Sequence, residues 1–156
     1  MATVDGVTVA ADVHGVVQGD GGAVDKMAGG AGKDTLEGHA AFNQYFGGAG
    51  SDTFVVSAKF AGLAHEGASL AFADQYAYMA DFQGAGGYSS GDNDFIALSG
   101  FGAGSHLDLA HVGTSGTSGA TLYYYTITDG VTGDVTNFVI NSVNGHGLAA
   151  GDYAFY

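Results

Sequence analysis

Cysteine, proline, tryptophan and arginine are absent from the 156 residues, and lysine and glutamate are scarce at 3 and 2. Without cysteine no disulfide can form. The last lysine is Lys59, so no basic cluster supplies counter-charge for phosphate, and nucleic acid and anionic membranes are poor partners. No apolar run approaches the roughly 18 residues of a membrane span, so membrane insertion is not expected. The start, Met1-Ala-Thr-Val-Asp5, has neither a basic region nor an apolar core, and no Sec-type signal peptide is expected. A disordered acidic tail is excluded too, because 46% of the residues are hydrophobic and 12% aromatic. The length fits one domain.

What is present is glycine and aspartate. There are 29 Gly and 14 Asp, and the formal net charge is −13, so the expected partners are cations. Aspartate outnumbers glutamate fourteen to two. Asp is the carboxylate of tight turns and short-reach oxygen ligation, whereas solvated helix faces favour Glu.

A nine-residue period runs from Asp20 to Val55. Its sixth position reads Asp25, Asp34, Asn43, Asp52 and its eighth reads Met27, Leu36, Tyr45, Phe54. Two blocks are complete, Gly29-Gly-Ala-Gly-Lys-Asp34-Thr-Leu36-Glu and Gly47-Gly-Ala-Gly-Ser-Asp52-Thr-Phe54-Val. Each block reads as a six-residue turn, in which glycine permits positive φ, followed by a short strand aiming one side chain inward. If one block is half a coil, blocks 18 residues apart stack on one edge, which sets Asp34 against Asp52. Two carboxylates and several loop carbonyls match the roughly 6–8 hard oxygens that Ca²⁺ takes. Plain turns need neither three glycines per loop nor a carboxylate kept in register. The opposite edge pairs the Asp25 and Asn43 loops and offers only one carboxylate.

The two complete blocks resemble the repeats-in-toxin (RTX) calcium-binding β-roll proteins. That resemblance implies a main Ca²⁺ site formed by the carbonyls of Gly30 and Gly32 with Asp34, and by those of Gly47 and Ala49 with Asp52. It implies a weaker site from Gly21, Ala23 and Asp25 with Gly38, Ala40 and Asn43. Met79-Ala-Asp-Phe82 and Gly91-Asp-Asn-Asp-Phe-Ile-Ala-Leu-Ser-Gly100 resemble the region after the roll in serralysin-type proteases, and this makes Asp74 a candidate for one further calcium contact. The ending Leu148-Ala-Ala-Gly-Asp-Tyr-Ala-Phe-Tyr156 is similar to the C-termini of type I secretion substrates.

The expected fold is all-β: a short parallel β-roll (a nonapeptide β-solenoid) followed by a β-rich C-terminal cap, one compact domain overall. Residues 1–19 are expected to give short strands that start or cap the roll, 20–56 the roll itself, and 57–156 the cap. Ser57 to Ala80 reads partly as a short helix or a loop over the end of the roll. The runs Asp94–Leu98, Leu107–Val112, Thr121–Thr128, Thr136–Val143 and Asp152–Tyr156 read as antiparallel strands.

Other motifs fail. Gly32-Lys33 suggests a phosphate loop, but the pattern needs Gly at 27 and Ser or Thr at 34, where Met27 and Asp34 stand. Asp92-Asn-Asp94 lacks the rest of an EF-hand loop. His65-Glu66 is not followed by the second histidine of a zinc protease site. The chain is therefore read as non-enzymatic: a secreted, extracellular calcium-binding module whose folding is coupled to Ca²⁺ and whose export partner is the type I secretion machinery. The alternative is an extracellular binding protein, adhesin or haemophore-like, in which the calcium roll is only structural; His39 and Tyr45 are the residues a haem ligand would use.

Overall fold

The apolar eighth position of each block points into one shared interior. In the computed structural model, Met27, Leu36, Tyr45 and Phe54 are all at most 1% exposed. Flanking residues point out, as the alternation of a half-buried strand requires. The structure describes residues 2–4, 7–9, 16–18, 24–61, 74–86, 92–114 and 119–156.

Thirteen strands and one helical turn are assigned among these. At the N-terminus, β1 (Ala2–Val4) and β2 (Val7–Val9) form an antiparallel hairpin, and β3 is Val16–Gln18. The repeats supply β4 (Val24–Ala31), β5 (Thr35–Glu37), β6 (Phe42–Ala49) and β7 (Thr53–Ser57), ending in the turn α1 (Ala58–Ala61). Then follow β8 (Ala77–Phe82), β9 (Phe95–Ser99), β10 (His106–Thr114), β11 (Thr121–Thr128), β12 (Val135–Ser142) and β13 (Tyr153–Phe155).

These strands make two sheets. One has eight strands in the order β10-β11-β12-β8-β6-β4-β1-β2, and the other five in the order β13-β9-β7-β5-β3. Pairing in the five-stranded sheet is parallel throughout. The larger sheet is mixed: β4, β6, β8 and β12 run parallel in its centre, with antiparallel pairs at either end. Register carries the inward residues across each ladder. Met27 faces Tyr45, Tyr45 faces Met79 and Met79 faces Ile140 in one sheet, while Leu36 faces Phe54 and Phe54 faces Ile96 in the other. The Tyr45 and Phe54 rings stack between the sheets at a centroid distance of 5.6 Å. Each such side chain, fully buried, contributes about 1.5–3 kcal/mol.

The expected layout is corrected here. A short parallel roll over 20–56 with a separate cap after it is not what forms, because the later strands carry apolar residues in the same inward phase and extend the ladders. Ala77, Met79 and Phe82 on β8 are fully buried, so the end of the Ser57–Ala80 stretch is a central strand of the mixed sheet rather than a cover. The expectation of antiparallel pairing holds for β10, β11 and β12. It fails for β9 and β13, which join the parallel sheet.

Candidate metal centre

Where the chain crosses from the mixed sheet to the parallel sheet, the loops stack as rungs. The first is 29–34 (the end of β4 and the turn to β5), the second 47–52 (the end of β6 and the turn to β7) and the third ends at Asp94 (β8 to β9). Thr35, Thr53 and Phe95 are opposite one another in the ladder, so the preceding residues Asp34, Asp52 and Asp94 form a column. Backbone amides link it: Asp34 N–H donates to Asp52 Oδ1 at 2.9 Å, and Asp52 N–H to Asp94 Oδ1 at 2.8 Å. The second oxygen of Asp94 accepts Gln83 N–H at 2.8 Å.

All three carboxyls are buried, with Asp34 4%, Asp52 1% and Asp94 2% exposed. Oδ2 of Asp34 and Oδ2 of Asp52 have no hydrogen-bond partner, and neither has Oδ1 of Asn93 nearby. Such orphaned acceptors are costly, and a buried anion more so. Burial raises the Asp34 carboxyl above its ordinary value. It raises Asp52 to about 6, with the charges of Asp34, Asp81 and Asp92 adding and the Asp34 amide opposing. Asp94 rises to about 7, again through burial first, with the amides of Asp52 and Gln83 opposing and the charges of Asp52 and Asp81 adding.

The carbonyls of the first rung face the second. A methyl group placed on Gly48 would meet the carbonyl oxygen of Gly30, and one on Gly50 would meet that of Gly32. Both glycines have positive φ, +90° and +121°. The carbonyl of Ala49 faces back, accepting Gly32 N–H at 2.8 Å. The opening glycine of each block has a different reason: a methyl on Gly29 or Gly47 would run into the carboxylate of Asp34 or Asp52 in its own loop.

The donor set fits a hard divalent cation, with orphaned carboxylate oxygens on adjacent rungs beside loop carbonyls. Among the described residues no three His, Cys, Asp or Glu side chains gather as a metal cluster, so carbonyls would have to complete any shell around Asp34 and Asp52. An open cleft of about 390 Å³ runs along this edge and is lined by Lys33, Asp34, Ser51, Asp52 and Asn93, among others.

On the opposite edge the structure places Asp25 and Asn43 side by side, both fully buried. Asp25 Oδ2 accepts His39 N–H at 3.0 Å. Asn43 is bonded on both sides of its amide: Oδ1 accepts Ala40 N–H, and Nδ2 donates to Ala40 O and Tyr76 O. The Gly38 carbonyl accepts the Tyr76 hydroxyl at 2.8 Å. Gly21 and Ala23 lie outside the described residues. Asp74 sits just before Tyr76, whose carbonyl accepts Asn43 N–H, so along the chain it belongs to the second edge and not to the Asp34–Asp52 column. Tyr45 is fully buried, its hydroxyl donating to Val55 O and accepting Gly38 N–H. His39 pairs with Glu37 at 2.7 Å.

Sequence reasoning missed Asp94 as the third member of the column, and Asp81 and Asp92 as partners of the second loop. The signal for Asp94 is its phase: Asp94-Phe-Ile96 matches Asp52-Thr-Phe54, an Asp two residues before an inward apolar side chain. A nine-residue scan passes over it, because the separation from Asp52 is 42.

Compared with known proteins, the chain matches no family model, no curated protein and no solved structure.

Proposed function

We propose that the chain is a secreted Ca²⁺-binding module of the RTX kind, non-enzymatic, that binds calcium between the 29–34 and 47–52 loops and whose folding is coupled to that binding. The observation that carries this reading is the pair of buried, unpartnered Oδ2 atoms on Asp34 and Asp52. Bound Ca²⁺ would supply the positive charge and take the roughly 6–8 oxygens that such a loop pair offers. The chain's own contribution is to hold two carboxylates and the carbonyls of Gly30, Gly32, Gly47 and Ala49 on adjacent rungs. Without a cation those carboxylates repel one another, and the glycines carry large conformational entropy. Folding and binding are then one equilibrium.

On this reading the chain remains loose at low intracellular calcium, passes through a type I secretion system and folds outside the cell. The acidic composition suits a chain kept soluble during that passage. The test is thermal melting followed by circular dichroism, first in EDTA and then in millimolar Ca²⁺. A large upward shift in melting temperature is expected, and an unchanged value would sink the coupling.

A second reading makes the calcium edge purely structural and gives the binding role to the far end of the mixed sheet. One observation favours it: β10 is an edge strand that leaves Leu109 and Val112 about half exposed, at 52% and 47%.

A further inference from the structure

The second loop meets the third rung through side-chain carboxylates. Asp81 accepts two of its amides, Gly47 N–H on Oδ1 at 2.8 Å and Gly48 N–H on Oδ2 at 2.9 Å. Asp92 Oδ2 accepts a third, Gly50 N–H, at 2.9 Å. In a planar trans peptide the N–H and the carbonyl of the preceding residue point in opposite directions. No peptide among the described residues is cis. Turning Gly48 N–H towards the third rung therefore turns the Gly47 carbonyl towards the first, and the Gly50 amide does the same for Ala49. The Ala49 carbonyl does point that way, since it accepts Gly32 N–H from the first rung.

We propose that Asp81 and Asp92 are positioning residues for a divalent cation held between the first two rungs: by anchoring the amides of Gly47, Gly48 and Gly50 on the far side, they aim the Gly47 and Ala49 carbonyls into the near gap. This rests on the calcium reading above. It explains how a loop with three glycines, which left to itself would sample many backbone conformations, presents two carbonyls in one direction. The same bonds decide where a cation does not go. Towards the third rung the loop shows the N–H donors of Gly47, Gly48 and Gly50, with a single carbonyl among them, that of Gly48, which accepts Gln83 Nε2 at 3.1 Å. A column of three carboxylates thus has one cation gap, between Asp34 and Asp52, while the side towards Asp94 is closed by the amides that Asp81 and Asp92 accept.

The probe is Tb³⁺ on the full chain, read by luminescence titration and by emission lifetimes in H₂O and D₂O, which count the waters left on the ion. Asp81→Ala and Asp92→Ala are each expected to lower affinity about tenfold or more, as partners behind metal ligands generally do, and to admit extra inner-sphere water as carbonyls swing away. Asp81→Asn keeps one acceptor oxygen and is expected to fall between wild type and Asp81→Ala, so the series remains readable if one alanine variant does not fold. Variants that bind Tb³⁺ with wild-type affinity and wild-type water count would overturn the positioning role. A wild-type chain that binds no Tb³⁺ at all would instead overturn the calcium reading, and the inference with it.

Discussion

The backbone amide of Asp34 donates to the carboxylate of Asp52, eighteen residues further along the chain, at 2.9 Å. One oxygen of Asp52 is thereby fixed by the neighbouring rung, and the other remains buried without a partner. The two roles can be separated. Asp52→Asn preserves an acceptor for the Asp34 amide while removing a charge that is crowded by Asp34, Asp81 and Asp92. It is expected to raise metal-free stability by about 1 kcal/mol and to abolish most of the response to calcium. Asp52→Ala loses the hydrogen bond as well, and is expected to lower metal-free stability by about 1–2 kcal/mol. Calorimetric calcium titration together with urea melts in EDTA reads both quantities. Asp34→Ala and Asp52→Ala are expected to weaken calcium binding more than Asp25→Ala, and equal effects would mean that the two edges are equivalent.

The glycines make a sharper stability test because their neighbours differ. At Gly48 and Gly50 an added methyl meets the backbone carbonyl of another rung, at a φ that L-residues rarely adopt. Neither obstacle is a flexible side chain that can move aside. Gly48→Ala and Gly50→Ala are expected to cost about 3 kcal/mol or more each, from strain plus a clash in a tightly packed place. Gly133 has positive φ but nothing within 4 Å of an added methyl, so Gly133→Ala is expected to cost only about 1–2 kcal/mol. Urea melts of the three variants in calcium give the order directly, and a Gly133 variant as damaged as the other two would remove the distinction.

The repeat columns made the core of the first half legible. Met27, Leu36, Tyr45 and Phe54 share one period, and that period fixes both the inward face and the stacking of Asp34 on Asp52. The continuation was not legible, because the chain abandons the nine-residue spacing while keeping the inward phase. β8 and β9 add a rung through a connection much longer than a nonapeptide turn, and β13 rejoins the parallel sheet after a three-stranded antiparallel excursion. What holds these later strands in register is long-range pairing and burial, such as Met79 against Tyr45 and Ile96 against Phe54, which no local spacing encodes. The roles of Asp81 and Asp92 were hidden for the same reason. Their partners are 33 to 42 residues away, and only the folded ladder brings them together.

Asn43 marks the point where the second edge departs from the first. Both hydrogens of its amide are used, on Ala40 O and Tyr76 O, and it stands beside Asp25 in the ladder. Asn43→Asp restores the block pattern but removes two donors and places a second carboxyl beside the buried Asp25. A loss of about 2–4 kcal/mol in metal-free stability is expected. Melts with and without calcium show whether the ion restores it. Recovery in calcium would identify the Asp25 edge as a second ion site, whereas a loss under 1 kcal/mol in EDTA would contradict the hydrogen-bond account.

Acid pH should favour the metal-free fold and oppose calcium. Asp52 and Asp94 ionise at about 6 and about 7 in the folded chain, well above the value of about 4 for an unfolded Asp. Below about pH 4 both states hold these protons and no difference arises. Between there and neutrality the unfolded chain has released them while the folded chain retains them, so the folded state binds more protons and metal-free stability falls as pH rises. Above about pH 7 both states are ionised and the full electrostatic penalty of burying the carboxylates is present. Melting temperatures in EDTA are therefore expected to be higher at pH 5 than at pH 7.5. Calcium competes with the same protons, so its stabilising shift is expected to be small at pH 5 and large at pH 7.5. Melts across this range, with and without calcium, check both slopes. A metal-free stability that rises steadily from pH 5 to 7.5 would mean that these carboxyls are not held in their protonated form by burial.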